Sequence, residues 1–312
     1  MQAPIYLGVD ISKAHLDVAR TGGGEAARRV GNTRRGITAL VRMARRLRVR
    51  LTVFEAGNYG SALEDALARE HLPYARVNPR AVRDFAKAAG VLAKTDALDA
   101  RLIALYGERM RPAPTRRASD ESRALAALLV RRRQLVEMTV MEKLRLDGAS
   151  ALVKPLVRAH LRWLQAQRRE LEARIARATR EGEVGRQVAL LRTLKGVGPL
   201  TATGLVAWLP EIGQVDGKAA AALCGMAPYN QDSGGKRGRR VIWGGRAPIR
   251  NLMYMAALSA TRCNPVFRSH YQQLRARNKP FKVALVACAR KMLVVLNAMV
   301  RDQRPWSPLQ PA

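Results

Sequence analysis

Acidic side chains are the minority charge in this chain, 24 Asp and Glu against 56 Lys and Arg, so where they stand is informative. Asp10 follows the apolar run IYLGV, and Glu55 follows LTVF. Asp96 and Asp99 stand three apart in KTDALDARLIA, a spacing that puts both on one face of a helix. Carboxylates that converge without an arginine between them repel one another unless they hold cations. An oxygen-only donor set suits Mg²⁺, and two such ions can clamp a phosphodiester during transfer. Each acid also has a plainer role. Asp96 and Asp99 suit a first helical turn, where the helix dipole favours negative charge, and Glu55 suits a loop. Asp10 ends a strand expected to be buried, and a charge there needs compensation in any reading.

A second set of residues lies far along the chain, in LCGMAPYNQDSGGKRGRRVIWGGRAPIR. Ser233 is followed by Gly234 and Gly235, then by Lys236, Arg237, Arg239 and Arg240, with Arg246 and Arg250 beyond. The glycines leave the backbone around the hydroxyl unobstructed, and the cations offer a pocket for phosphate. A serine so placed either attacks a phosphodiester or donates a hydrogen bond to a phosphate oxygen. The loop alone leaves both open, because a nucleophile also needs an activating partner.

The elements that must hold the acids follow from hydrophobic pattern and turn residues. Residues 5–10, 16–20, 27–30, 51–54 and 74–77 read as strands, with Gly22–Gly24 turning the chain between the second and third. Thr33 caps a helix with Ile37, Leu40, Val41, Ala44 and Leu47 on one face. Ser61 is expected to cap the next, Asn78-Pro79 opens a third, and Thr95 caps a fourth from Asp96 to about Arg109. The order β-β-β-α-β-α-β-α is that of an RNase H-like mixed sheet, in which the strands ending at Asp10 and Glu55 are neighbours. The fold class is therefore α/β plus α: such a sheet first, then helices.

Pro112 and Pro114 close a first domain at residues 1–114. Residues 115–185 form an arginine-rich helical connector containing Arg131, Arg132 and Arg133, interrupted at Gly148–Ser150 and Pro155. Leu164, Leu171 and Ala178 repeat by sevens, as do Leu161 and Ile175 around Arg168, which fits either an intramolecular hairpin or a dimerising arm. In the third domain, residues 186–304, Gly196-Val197-Gly198 lies between helical patterns, as in a helix-hairpin-helix turn whose glycines let backbone N–H groups approach a phosphate. Apolar helices follow, and the proline-rich tail of residues 305–312 is expected to fray.

Composition narrows the partner. A formal charge of +32 over the whole length calls for a polyanion, and 48% hydrophobic residues exclude a disordered basic tail. Nucleic acid is favoured over membrane, since no apolar run is expected to reach the roughly 20 residues of a spanning helix. The opening MQAPIYLGVD lacks a charged n-region and reads as a strand. Cys224, Cys263 and Cys288 show neither zinc nor disulfide spacing, which fits a reducing cytosol.

Taken together, YLGVDISK, VFEAGNYG and KTDALDARLIA resemble the RuvC-like domain of DEDD-type insertion-sequence transposases, relatives of the Piv-type DNA invertases and described as bridge-RNA-guided recombinases. LKGVGPLTA, LCGMAPYNQDSGGKRGRR, IRNLMYMAALSATRCNP and the closing RARNKPFKVALVACARKMLVVLNAMVRD resemble their C-terminal transposase domain. Asn58-Tyr59 departs mildly from that pattern without touching the acids. The resemblance implies that Asp10, Glu55, Asp96 and Asp99 form a Mg²⁺-binding tetrad and that Ser233 is the nucleophile of DNA strand exchange. It also implies a homo-oligomer, dimer or tetramer, whose protomers share active sites, and a structured guide RNA. Gly196, Gly198, Lys236, Arg237, Arg239, Arg240 and Arg131–Arg133 are the expected nucleic-acid contacts. A RuvC-like endonuclease using water, or a non-catalytic nucleic-acid-binding protein, are the alternatives.

Overall fold

The computed structural model describes residues 3–22, 27–91, 96–230 and 240–308. The chain divides into two compact units, 1–117 and 118–312. The arginine-rich helices expected in a separate connector fall in the second unit.

The first unit is built on a five-stranded mixed sheet. Its strands are β1 (Tyr6–Ile11), β2 (His15–Arg20), β3 (Arg28–Gly31), β4 (Leu51–Glu55) and β5 (Tyr74–Val77), in spatial order β3-β2-β1-β4-β5. β1, β2 and β3 form an antiparallel meander, while β4 and β5 run parallel to β1. Alternation along β1 fixes which residue faces which layer. Leu7 and Val9 join Leu16, Val18 and Phe54 in a core with Ile37, Leu40, Leu63 and Leu67 of helices α1 (Arg34–Arg46) and α2 (Ser61–Arg69). Tyr6, Leu51 and Val53 join Val82, Leu102 and Ile103 of α3 (Pro79–Ala88) and α4 (Asp96–Met110) on the opposite face. The Thr33 hydroxyl accepts from the Gly36 N–H, and Asn78 Oδ1 accepts from the Arg80 N–H, so both caps read from sequence form. Ser61 does not cap α2. It is the first helical residue, behind Gly60, and Gly60 offers no side-chain cap. Thr95 lies outside the described residues.

The second unit is mostly helical. Helices α5 (Asp120–Gly148) and α6 (Lys154–Ala178) form an antiparallel hairpin, clamped by Arg132–Glu172 at 2.7 Å and by His160–Glu142 at 3.4 Å. α7 (Gly182–Arg192), α8 (Pro199–Trp208), α9 (Gly217–Leu223), α10 (Ala247–Cys263), α11 (Pro265–Ala276) and α12 (Phe281–Asp302) complete it. A short ribbon, β6 (Pro228–Asn230) with β7 (Arg240–Ile242), stands between α9 and α10. α12 is long and apolar enough to cross a membrane, contrary to the expectation that no such run exists. Its Leu285, Cys288, Met292, Leu293 and Leu296 are nevertheless buried in the core of this unit. Burial pushes the Cys224 thiol up to about 12 and that of Cys288 up to about 11, as suits packed core residues. The expected frayed tail is held as far as Trp306. That residue packs on the core, and its N–H donates to the Thr193 hydroxyl at 3.0 Å.

Candidate active site

Two strand ends and one helix start position the acids. β1 and β4 are parallel, with Val9 opposite Phe54 as the last aligned pair, so Asp10 and Glu55 are the next residue on each. Side chains at matching positions of neighbouring strands leave the same face. That face is the one carrying Tyr6 and Val53, which α4 covers. Both carboxylates are half-buried.

How α4 lies on this face is set by Gly8. A Cβ there would collide with the Ala100 carbonyl and the Ala104 backbone nitrogen, so only glycine lets the helix come this close. Farther along α4, a Cβ on Gly107 would stand 2.8 Å from Val53 Cγ2 and 3.4 Å from Tyr6 Cδ1. The helix therefore runs from the level of Gly8 back toward Tyr6, antiparallel to β1. Its N-terminus points to the strand ends. Asp10 lies roughly 6–7 Å beyond Gly8 along the strand, while Asp99 and Asp96 lie about 1.5 and 6 Å N-terminal to Ala100 along the helix. The first turn of α4 thus arrives at the level of Asp10 and Glu55. Asp99 is half-buried there; the side chain of Asp96 lies outside the described residues. Among the described residues no three Asp, Glu, His or Cys are grouped to hold a metal ion.

Sequence reading passed over one acid on the same face. Asp17 is the direct partner of Asp10 across β1 and β2, and it is 6% exposed. Arg29 of β3 holds it in a two-pronged pair at 2.9 and 3.1 Å. Asp17 is thus neutralised within the sheet. The signal was available: in HLDVAR and RRVG, an acid inside one strand faces an arginine inside the next.

In the second unit, Ser233, Lys236, Arg237 and Arg239 lie outside the described residues. Their flanks are described: the strands β6 and β7 pair Asn230 with Arg240. The ribbon was not foreseen, although Val241-Ile242 after a glycine-rich run is a strand signal. Of the two later arginines expected near phosphate, Arg246 makes a bidentate pair with Glu211 at 2.6 Å for both contacts and donates to the Trp208 carbonyl at 2.9 Å. Burial works against its charge, but the hydrogen bonds and charge of Glu211 outweigh that and raise its pKa. Arg250 donates to the Gly244 carbonyl at 2.5 Å. Both side chains therefore brace the ribbon's exit.

The turn between α7 and α8 is a helix–turn–helix connection, and its two glycines differ. Gly196 has φ +109°, and a Cβ would meet Ala260 of α10 at 2.5–2.9 Å, so it is needed for packing. Gly198 faces open space at the start of α8. Asn264 steadies the turn by donating to the Lys195 carbonyl at 3.3 Å. The Arg131–Arg133 run also divides. Arg132 is committed to Glu172, while Arg133 pairs with Glu137 at 3.4 Å, and Arg131 donates to Gln134 at 3.2 Å, both in solvent.

Acids at two neighbouring strand ends of a mixed sheet, in a chain of formal charge +32, suit a protein that acts on nucleic acid. Comparison with known families makes this specific. Residues 7–154 match a DEDD-type transposase family, and residues 188–272 match the transposase family IS116/IS110/IS902. The chain belongs to this IS110/IS116 family of transposases and is a DNA transposase or recombinase. It is similar to the pilin gene-inverting protein of Moraxella bovis, 26% identical over 261 residues that cover 82% of this chain and 81% of the relative. The pilin gene-inverting protein of Moraxella lacunata matches to the same extent. An insertion element IS110 protein of 43.6 kDa from Streptomyces coelicolor is 30% identical over 168 residues, 53% of this chain and 40% of that protein. DEDD transposase domains generally use divalent metal ions, and carboxylate oxygens are the donors that a hard divalent cation takes.

Proposed function

We propose that this transposase cleaves and rejoins DNA with Ser233 as nucleophile, with Asp10, Glu55, Asp96 and Asp99 holding Mg²⁺ at two sites. The observation that carries the reading is the shared face and shared end of Asp10 and Glu55, met by the first turn of α4. The strand order β3-β2-β1-β4-β5, three antiparallel and two parallel, supports an RNase H-like, RuvC-like first unit. The acids would orient the phosphodiester, and the Ser233 oxygen would bond to phosphorus as the bond to the 3′ oxygen breaks. The serine proton passes to a base and the leaving 3′ oxygen takes one up. Mg²⁺, when bound, supplies Lewis-acid stabilisation of the phosphoryl charge. Lys236, Arg237, Arg239 and Arg240 would neutralise the same charge from the loop.

A structured guide RNA and a homo-oligomer belong to the same proposal. The +32 charge supports a second polyanion besides DNA. The far end of the α5–α6 hairpin supports self-association: Leu144, Leu152 and Leu156 are 68%, 85% and 70% exposed, well beyond scattered surface apolars.

Replacing Ser233 separates this reading from a water-using nuclease. Ser233→Ala is expected to reduce strand transfer to background while DNA binding survives, and wild-type protein should leave a covalent protein–DNA adduct on denaturing gels. Cleavage by Ser233→Ala at a rate comparable to wild type, with no adduct in either, would mean that water attacks.

A further inference from the structure

We propose that a cavity in the second unit receives one unstacked base of a single-stranded nucleic-acid segment. The cavity has a volume of about 500 Å³ and lies among α5, α6, α7 and α8, and no residue of the β6–β7 ribbon lines it. Its size is in the range of roughly 300–1,000 Å³ common to small-ligand pockets. Ile175, Val188 and Leu200 give it aliphatic walls, and Arg132, Arg180 and Arg192 stand around them.

The charges are unequal in their duties. Glu172 is the single acid lining the cavity, and it is already bound by Arg132 at 2.7 Å and approached by Arg168 at 3.8 Å. Among the described residues, Arg180 and Arg192 have no ion-pair partner, and both are exposed. An apolar slot between two available guanidinium groups matches the parts of a nucleotide. The flat base is desolvated against aliphatic side chains, and the flanking phosphates meet the arginines. A neutral peptide side chain would fill the slot but give the cations nothing to bind, and an acidic peptide lacks the flat apolar group beside its charge that a nucleotide has.

A duplex cannot offer such a base without unstacking it, at a cost of a few kcal/mol. The site therefore discriminates in favour of single strands, which strand exchange exposes in DNA and which a folded RNA carries in its loops. The inference rests on the chain's acting on nucleic acid and is independent of whether Ser233 is the nucleophile.

The test fills the slot. Ala176 lines the cavity from an exposed position on α6, where a large side chain is compatible with the helix. Binding of full-length protein to a 12-nucleotide oligothymidine, to oligouridine of the same length, and to an abasic strand with the same number of phosphates is measured by fluorescence anisotropy. Wild-type protein is expected to prefer the base-bearing strands by about tenfold, as burial of one base against aliphatic walls would give. Ala176→Leu, which adds bulk but no aromatic face, should remove most of that preference and leave binding to a duplex within about twofold. The arm with the larger preference identifies DNA or RNA as the source. Arg180→Gln with Arg192→Gln, both exposed, provides a second variant: it should weaken single-strand binding more than duplex binding. Equal affinity of wild type for oligothymidine, oligouridine and the abasic strand overturns the proposal. So does an unchanged preference in Ala176→Leu protein whose helical content and melting match wild type. A peptide-binding cavity would give that second outcome.

Discussion

The two units sort their charged residues by different rules. In the first, the residue on the neighbouring strand decides. Asp17 is locked to Arg29 of β3, whereas Asp10 has acids on either side, Asp17 of β2 opposite it and Glu55 at the matching position of β4. In the second unit, the arginines look uniform in sequence, yet they divide according to whether a carboxylate from elsewhere in the unit reaches them. Arg132 and Arg246 are taken by Glu172 and Glu211; Arg180 and Arg192 are left to solvent. In the sheet, the register of neighbouring strands sets which charges meet, and in the helical unit the pairing is hidden until the helices are assembled.

The most severe way to challenge this contrast is at the sheet end. Asp10→Asn or Asp99→Asn should abolish recombination while nucleic-acid binding remains, measured by strand-transfer assay beside anisotropy. The parallel change Asp17→Asn should cost folding stability instead and leave residual turnover. If Asp17→Asn abolished turnover in folded protein, the distinction between the two kinds of acid would fall.

Gly8→Val tests how α4 is held. A side chain at Gly8 must displace the helix backbone, so a loss of about 1–3 kcal/mol or more is expected in chemical denaturation. Strand transfer should decline in the protein that remains folded, because Asp96 and Asp99 move with α4. Unchanged stability would show that the close approach at Gly8 is not needed.

In the second unit, Arg246→Ala should cost about 2 kcal/mol by denaturant titration. That lies below the roughly 3–5 kcal/mol of breaking a fully buried pair, because Arg246 and Glu211 retain 31% and 28% exposure. Arg133→Ala should scarcely alter stability. It should reduce the log–log salt slope of duplex binding by up to about 0.9 if the guanidinium contacts a phosphate. Arg132→Ala should do the reverse, loosening the hairpin with little change in slope. Identical slopes for the two variants would sink the division of the arginine run.

The smallest effect concerns Tyr74. Burial, followed by the Glu64 carboxylate that accepts its hydroxyl at 3.2 Å, pushes it up to about 12. A tyrosine raised in the folded state contributes stability that is whole below its unfolded value of about 10 and is lost as pH rises through about 12. Wild-type protein should therefore lose stability more steeply than Tyr74→Phe between about pH 10 and 12, and the difference between them should be flat near pH 7. Parallel curves would mean that the buried hydroxyl ionises normally.

Much of this was legible in the sequence because it is local. Strands at 5–10, 51–54 and 74–77, the Thr33 and Asn78 caps, and the acids at strand ends depend on alternation and turn chemistry within a few residues. The order of those elements is enough to make Asp10 and Glu55 neighbours. What the sequence could not decide involves partners far apart along the chain. Gly8 looks like any small residue until α4 lies on it, and Gly196 looks like a phosphate-binding glycine until Ala260 packs against it. Arg246 reads as a loop cation until Glu211, 35 residues earlier, closes on it. α12 has the length and apolarity of a membrane span, and only its burial among the other helices makes it a core. Local propensity is written residue by residue, whereas desolvation and ion pairing depend on which distant surface arrives, and only the assembled fold determines that.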